Sequence, residues 1–139
     1  MSTSIPTASD VMTPAPKVID GTIDSLSARA LMDEHGIRHL PVMVDGQLVG
    51  VLSERDLRAA RAFLDSAPGE VGPPVSALCS HDPYVAPLDA PIDELAIEMA
   101  NRRLGAAIVV KGTDVAGIVT TVDLCRELAR LVGRMRTSP

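Results

Sequence analysis

Ser53 and Asp56 stand three residues apart, as do Thr120 and Asp123, and a hydroxyl and a carboxylate at that spacing can do two kinds of chemistry. At the mouth of a helix the hydroxyl caps free backbone N–H groups, and the carboxylate complements the positive end of the helix dipole. The same pair can instead hold a ligand. Capping accounts for either pair alone, but nothing in capping requires both to recur. No general base stands beside them in sequence. A Ser/His/Asp order, a glycine-rich phosphate loop before a lysine and a nucleophile elbow are all missing, so the chemistry is binding rather than catalysis.

The two pairs are copies of one another. Gly50-Val51-Leu52-Ser53-Glu54-Arg55-Asp56-Leu57 returns as Gly117-Ile118-Val119-Thr120-Thr121-Val122-Asp123-Leu124, and the same offset relates Ser9 to Ser76, Pro16 to Pro83, Met32 to Met99 and Val42 to Val109. In each copy an apolar strand hands over to a helix with the hydroxyl and carboxylate at the junction. Residues 1–8 read as a flexible tail, 9–66 as the first repeat, 67–74 (Ala-Pro-Gly-Glu-Val-Gly-Pro-Pro) as a linker, 75–135 as the second repeat and 136–139 as a tail.

The elements that must position the junctions are legible in outline. Ser9 or Asp10 caps a short turn that Pro14 and Pro16 stop. Lys17–Ile19 is extended. A helix from Asp24 to His35 carries Leu26, Ala30, Leu31 and Met32 on its inward stripe, and Gly36 ends it. Leu40–Val44, Asp45-Gly46 and Leu48–Leu52 form a hairpin, since Asp-Gly between β-rich runs is a strong turn signal. The helix after Ser53 runs to about Ser66, with Leu57, Ala60 and Leu64 inward. The second copy repeats the order: a turn at Val75–Leu78, an extended Tyr84–Ala86, a helix over Ile92–Arg103, and strands at Ala107–Val110 and Val115–Val119. The last helix runs from Thr121 to about Met135. Leu124, Leu128, Leu131 and Met135 are expected to face inward, with Arg126, Arg130 and Arg134 as an exposed stripe.

A length of 139 residues, with 46% hydrophobic and 22% charged residues, is that of an ordinary globular chain. Phe63 and Tyr84 are its only aromatics, so aliphatic side chains must fill the core. A net charge of −5 argues against nucleic-acid binding, which needs a basic footprint. No apolar run approaches the ~18 residues of a membrane span, and Met1–Ser9 lacks the regions of a signal peptide, so a cytoplasmic location is expected. Cys79 and Cys125 read as buried thiols in a reducing compartment. Cys79-Ser80-His81 is too sparse for a zinc site, which wants about four ligands. No metal and no required cofactor are expected.

The order of elements and the doubled Gly-x-x-Ser/Thr-x-x-Asp ending, together with Asp10-Val11-Met12-Thr13-Pro14 and His35-Gly36-Ile37-Arg38-His39-Leu40-Pro41-Val42, resemble a tandem pair of cystathionine-β-synthase (CBS) domains. The resemblance covers about residues 9–130. It implies an α+β fold of two pseudo-twofold-related repeats packed through their sheets into one Bateman-type module. It also implies adenosine-containing ligands (AMP, ADP, ATP or related) bound in clefts between the repeats as regulatory ligands.

On that resemblance Asp56 and Asp123 meet ribose, and Ser53 and Thr120 meet phosphate. Adenine lies among aliphatic side chains, Pro41 and Ile108 included, and is read by backbone groups near Thr13–Val18 and Leu40–Val42 and near Ser80–Val85 and Ala107–Val109, and Arg38, His39 and Arg55 are further phosphate ligands. The second copy has Gly105, Ala106, Ile108 and Val122 where the first has Arg38, His39, Pro41 and Arg55, so the two clefts should differ. A carboxylate reserved for ligand would add little to the stability of the free protein. The expected function is a regulatory module that senses an adenosyl ligand and signals to a separate effector protein. The competing reading is a dimeric adaptor with vestigial clefts. Either is expected as a homodimer, with Leu57/Ala60/Leu64 and Leu124/Leu128/Leu131 as seams.

Overall fold

The computed structural model describes residues 4–64 and 72–137, with the side chains of Phe63 and Leu64 left aside. Most of the expected linker, the end of the helix near Ser66 and the inward role of Leu64 therefore lie outside the described residues. The chain forms two compact units, Lys17–Pro83 and Met1–Pro16 with Tyr84–Pro139. These are not the two sequence repeats. Each repeat keeps its β-hairpin and its two longer helices but gives its leading segment, short helix included, to the other unit.

The unit of residues 17–83 contains β2 (Ile19–Asp20), α2 (Ser25–His35), β3 (His39–Val44), β4 (Gln47–Ser53), α3 (Glu54–Leu64) and α4 (Val75–Leu78), following α1 (Ala8–Val11) and β1 (Thr13–Pro14) in chain order. Its sheet runs β2-β3-β4, with β2 parallel and β4 antiparallel to β3. Asp45 and Gly46 turn the hairpin with φ of 51° and 76°, the doubly left-handed turn that Asp-Gly favours. Ser80 then bridges Val51 on the free side of β4, its N–H donating to the Val51 carbonyl at 3.0 Å and its carbonyl accepting at 3.1 Å.

The other unit uses the chain start in the same way. β5 (Val85–Pro87), α5 (Ile92–Arg102), β6 (Ala106–Lys111), β7 (Asp114–Thr120) and α6 (Thr121–Thr137) complete the elements. The sheet order is β1-β7-β6-β5, and Thr13 faces Ile118 across the antiparallel β1–β7 pair. Thr13 and Ile118 are the counterparts, one repeat away, of Ser80 and Val51. This exchange explains the glycine that opens each motif. A Cβ at Gly50 would collide with the Ser80 carbonyl and come within 2.8 Å of Cys79 Sγ, and one at Gly117 would strike Met12. Only glycine lets the exchanged backbone come that close.

Each unit has its own aliphatic core. Met32, Leu40, Val42, Leu52, Leu57 and Val75 anchor one, and Leu95, Met99, Ala107, Val109 and Val119 the other. Burying each of the larger side chains contributes about 1.5–3 kcal/mol. Met32 and Met99 occupy equivalent places, as do Leu52 and Val119.

Several helical faces differ from expectation. In α2 the buried positions are Ser25, Ala28 and Met32, whereas Leu26 is 63% exposed and Ala30 is exposed. Asp24 caps the helix, accepting from the Ser27 N–H at 2.9 Å. Ser25 Oγ is buried without a partner among the described residues. The short first helix is capped by Thr7 rather than Ser9 or Asp10. Asp10 instead reaches back to the Thr7 N–H at 2.8 Å.

In α6 Leu128 and Met135 are exposed and Glu127 is buried. The helix touches α1 and β7, and Arg130 pairs with Glu127, its Nε at 2.9 Å. The arginine stripe is therefore partly engaged. Cys79 is buried but Cys125 is exposed, and both are free thiols. Among the described residues, no helix is long and apolar enough to cross a membrane.

Candidate functional site

The two strand–helix junctions are built alike, atom for atom. At the end of β4, Asp56 Oδ2 accepts from the Ser53 N–H at 2.8 Å and from Ser53 Oγ at 2.9 Å, while Ser53 Oγ accepts from the Asp56 N–H at 3.2 Å. At the end of β7, Asp123 Oδ2 accepts from the Thr120 N–H at 2.8 Å and from Thr120 Oγ1 at 3.1 Å, and Thr120 Oγ1 faces the Asp123 N–H at 3.4 Å. Each is a reciprocal capping arrangement, which ties the last strand residue to the first helical turn.

The aspartates are thus used in the protein's own structure, contrary to the expectation that they are spare. One oxygen of each is committed. Oδ1 of Asp56 and of Asp123 has no hydrogen bond among the described residues, and all four junction residues are half-buried. The arrangement can therefore hold a helix mouth in shape and still offer a carboxylate acceptor, while the Glu54 and Thr121 N–H groups of the first turns are bound to the Arg38 and Gly105 carbonyls at 2.9 and 3.1 Å.

Around the first junction the structure gathers charge. His39 faces Ser53 across the β3–β4 ladder and is half-buried. Burial pushes its imidazole below the ordinary histidine value, while the Asp56 carboxylate pulls the other way and the Arg38 charge adds to the depression. Arg38 is exposed, with Nε 3.5 Å from Glu54 Oε2, and its carbonyl accepts from the Glu54 N–H at 2.9 Å. Arg55 is exposed.

Around the second junction the corresponding positions are Gly105, Ala106 and Val122, which bring no charge. The expected asymmetry is thus present in side-chain chemistry. Pro41 and Ile108 are fully buried. Neither presents surface to a ligand unless neighbouring residues part.

Sequence reasoning missed two members of this neighbourhood. They are Glu54 and Arg29, neither of which the sequence pattern singles out. Glu54 and Arg58 could have been paired by their i, i+4 spacing. Arg29 reaches Glu54 from another helix, and no local signal announces that.

The chain belongs to the CBS domain family, whose model matches it twice, over residues 8–62 and 75–130. It is 27% identical over 128 residues to L-aspartate semialdehyde sulfurtransferase of Methanocaldococcus jannaschii, a match that takes in 91% of this chain but 24% of that enzyme. The chain thus spans about a quarter of that relative's length. Among solved structures it resembles the CBS domain pair of protein MJ0100 in complex with 5′-methylthioadenosine and S-adenosyl-L-methionine, with a TM-score of 0.79 and 26% identity, covering 91% of this chain and 98% of that one. It also resembles a protein described as an acetoin utilization protein (AcuB) from Vibrio cholerae, with a TM-score of 0.85 and 26% identity, covering 96% and 99%. The mixed α+β architecture of a CBS domain pair is therefore that of this chain.

Proposed function

We propose that this chain is a regulatory sensor of adenosine-containing small molecules, with one ligand site at each strand–helix junction. The observation that carries the reading is the doubled junction with one carboxylate oxygen uncommitted on each aspartate. The likeness to a CBS pair solved with two adenosyl compounds supports the ligand class. Asp56 and Asp123 accept from the ribose hydroxyls through Oδ1, and Ser53 and Thr120 turn their hydroxyls to a phosphate or another polar tail. His39, Arg38 and Arg55 favour phosphate-bearing ligands at the first junction. Such a protein works in the cytoplasm, binds rather than transforms its ligand, and passes the signal to a separate effector protein. Differential affinity for two arrangements of the chain, or of two chains in a homodimer, is the only source of that signal.

Thermal denaturation against adenosine, AMP, ADP, ATP, 5′-methylthioadenosine and S-adenosylmethionine tests the reading. A ligand that binds only the native state must raise the melting temperature, by about 2.7 kcal/mol of added stability at a hundredfold excess over Kd. Binding should weaken by about 1.5–3 kcal/mol in Asp56→Ala. If no member of the panel shifts the transition, the sensor reading fails. The competing adaptor reading then stands, and the reciprocal capping favours it, because that capping gives both aspartates a purpose without any ligand.

A further inference from the structure

Three described residues other than glycine hold left-handed backbone: Ala15 at a φ of 46°, Asp45 at 51° and Arg103 at 55°. Two of them have a local reason. Asp45 turns the β3–β4 hairpin, and Arg103 caps the end of α5. Ala15 has neither role. It lies between Pro14 and Pro16, and a residue before proline is pushed towards extended backbone. Its own Cβ disfavours the left-handed conformation as well. Ala15 is strained on both counts.

The strain stands where the chain passes from one compact unit to the other, between Pro16 and Lys17 and again between Pro83 and Tyr84. The internal duplication supplies a control. Asp82, the counterpart of Ala15, also precedes a proline at its crossing, yet its φ is not positive. The same crossing is thus made once on relaxed backbone and once on strained backbone.

The residues before the strained hinge form a complete piece of the unit that receives them. The Ala8 N–H donates to the Ala90 carbonyl at 2.8 Å, the Ser9 N–H to the Leu88 carbonyl at 2.9 Å and the Ala15 N–H to the Ala116 carbonyl at 3.0 Å. Ala8 is fully buried, and Val11 and Met12 pack on the core of that unit. None of these contacts depends on which chain supplies the segment. The equivalent segment of the second repeat, Val75–Ser80, is tied into the chain at both ends.

We infer that this chain swaps its leading segment with a second copy, forming a dimer in which β1 of each copy completes the β1-β7-β6-β5 sheet of the other and Ala15 straightens. Every contact of the segment is made again, so the closed and swapped forms differ chiefly at the hinge. Straightening gives Ala15 the extended backbone that Pro16 favours, and short hinges under strain invite such a swap. Each dimer relieves two hinges, while high protein concentration offsets the loss of freedom on association. β7 ends at Thr120, so the strand paired with the one leading into the second junction then comes from the other copy. The swap stands on the hinge and the strand pairing and does not depend on the adenosine reading.

A disulfide placed across the β1–β7 pair tests this. Thr13 faces Ile118 there, so the variant carries Thr13→Cys and Ile118→Cys, with Cys125→Ser to remove the exposed native thiol. After refolding from urea at millimolar concentration and mild oxidation, a swap joins two chains and doubles the mass under non-reducing conditions. A closed chain bonds within itself and keeps the mass of one chain, even where copies associate through another face, and that result overturns the inference.

Sedimentation equilibrium then tests the hinge. Glycine accepts positive φ, so Ala15→Gly relieves the closed form and should raise the dissociation constant of the swapped dimer about tenfold for each hinge, about a hundredfold in all. A dimer joined only through helix faces is indifferent to Ala15. Equal association of the native chain and Ala15→Gly therefore overturns the role given to the hinge. If the double-cysteine variant fails to fold, that comparison decides alone.

Discussion

Asp56→Ala should destabilise the ligand-free protein, and the size of the loss follows from the junction geometry. The substitution removes two hydrogen bonds to Oδ2, from the Ser53 N–H at 2.8 Å and from Ser53 Oγ at 2.9 Å, and it leaves the Ser53 N–H short of a partner at the strand end. It also removes a negative charge from the first turn of α3, where the helix dipole favours one. Loss of a helix-capping side chain costs about 0.5–2 kcal/mol. A charge-assisted pair of bonds at a half-buried site belongs in the upper half of that range, about 1–2 kcal/mol. For a domain of this size that lowers the melting temperature by about 2–8 °C.

Asp123→Ala should cost no more, because its Thr120 contacts are equal or slightly longer. Urea denaturation followed by circular dichroism, on protein stripped of small molecules by unfolding and refolding, measures both. The reasoning fails if Asp56→Ala leaves stability unchanged or raises it. The carboxylate would then be held for a ligand alone.

Gly50→Ala should cost about 1–3 kcal/mol in urea denaturation, because its Cβ meets the Ser80 carbonyl and Cys79 Sγ; an unchanged midpoint would mean that the exchanged segment does not approach β4 so closely. The depressed His39 value makes the folded state the poorer proton binder, so stability should be full above the ordinary histidine value of 6.5 and fall as pH drops below it towards the folded-state value. His39→Gln should remove that part of the slope in urea midpoints taken between about pH 7.5 and about pH 5. A thiol reagent should modify exposed Cys125 in the native protein and reach Cys79 only on unfolding, since Cys79 is buried and burial raises its thiol; two equally fast equivalents of native thiol would contradict the packing of Cys79.

What could be read along the chain was whatever short-range chemistry encodes. Asp45-Gly46 turns its hairpin because those residue types accept left-handed backbone, and Gly36 ends α2 at a φ of 62° for the same reason. The doubled Gly-x-x-Ser/Thr-x-x-Asp gave both strand–helix junctions, because capping joins residues three apart. The duplication itself pointed to a pair of equivalent units.

Tertiary structure alone decided which face of each helix is inside. Leu26, Leu128 and Met135 are exposed while Ser25 and Glu127 are buried, because a helix docks by the shape and partners of what it meets as well as by its own hydrophobic stripe. It alone decided that Thr13 pairs with Ile118 and Ser80 with Val51, exchanging the leading segments of the repeats. It alone brought Arg29 to Glu54 across two helices. Pairings between distant segments leave no periodic trace in sequence, since what selects them is the closing of a sheet edge and the balance of charge in space. The one trace they left was Gly50 and Gly117, kept free of side chains where the exchanged backbone passes.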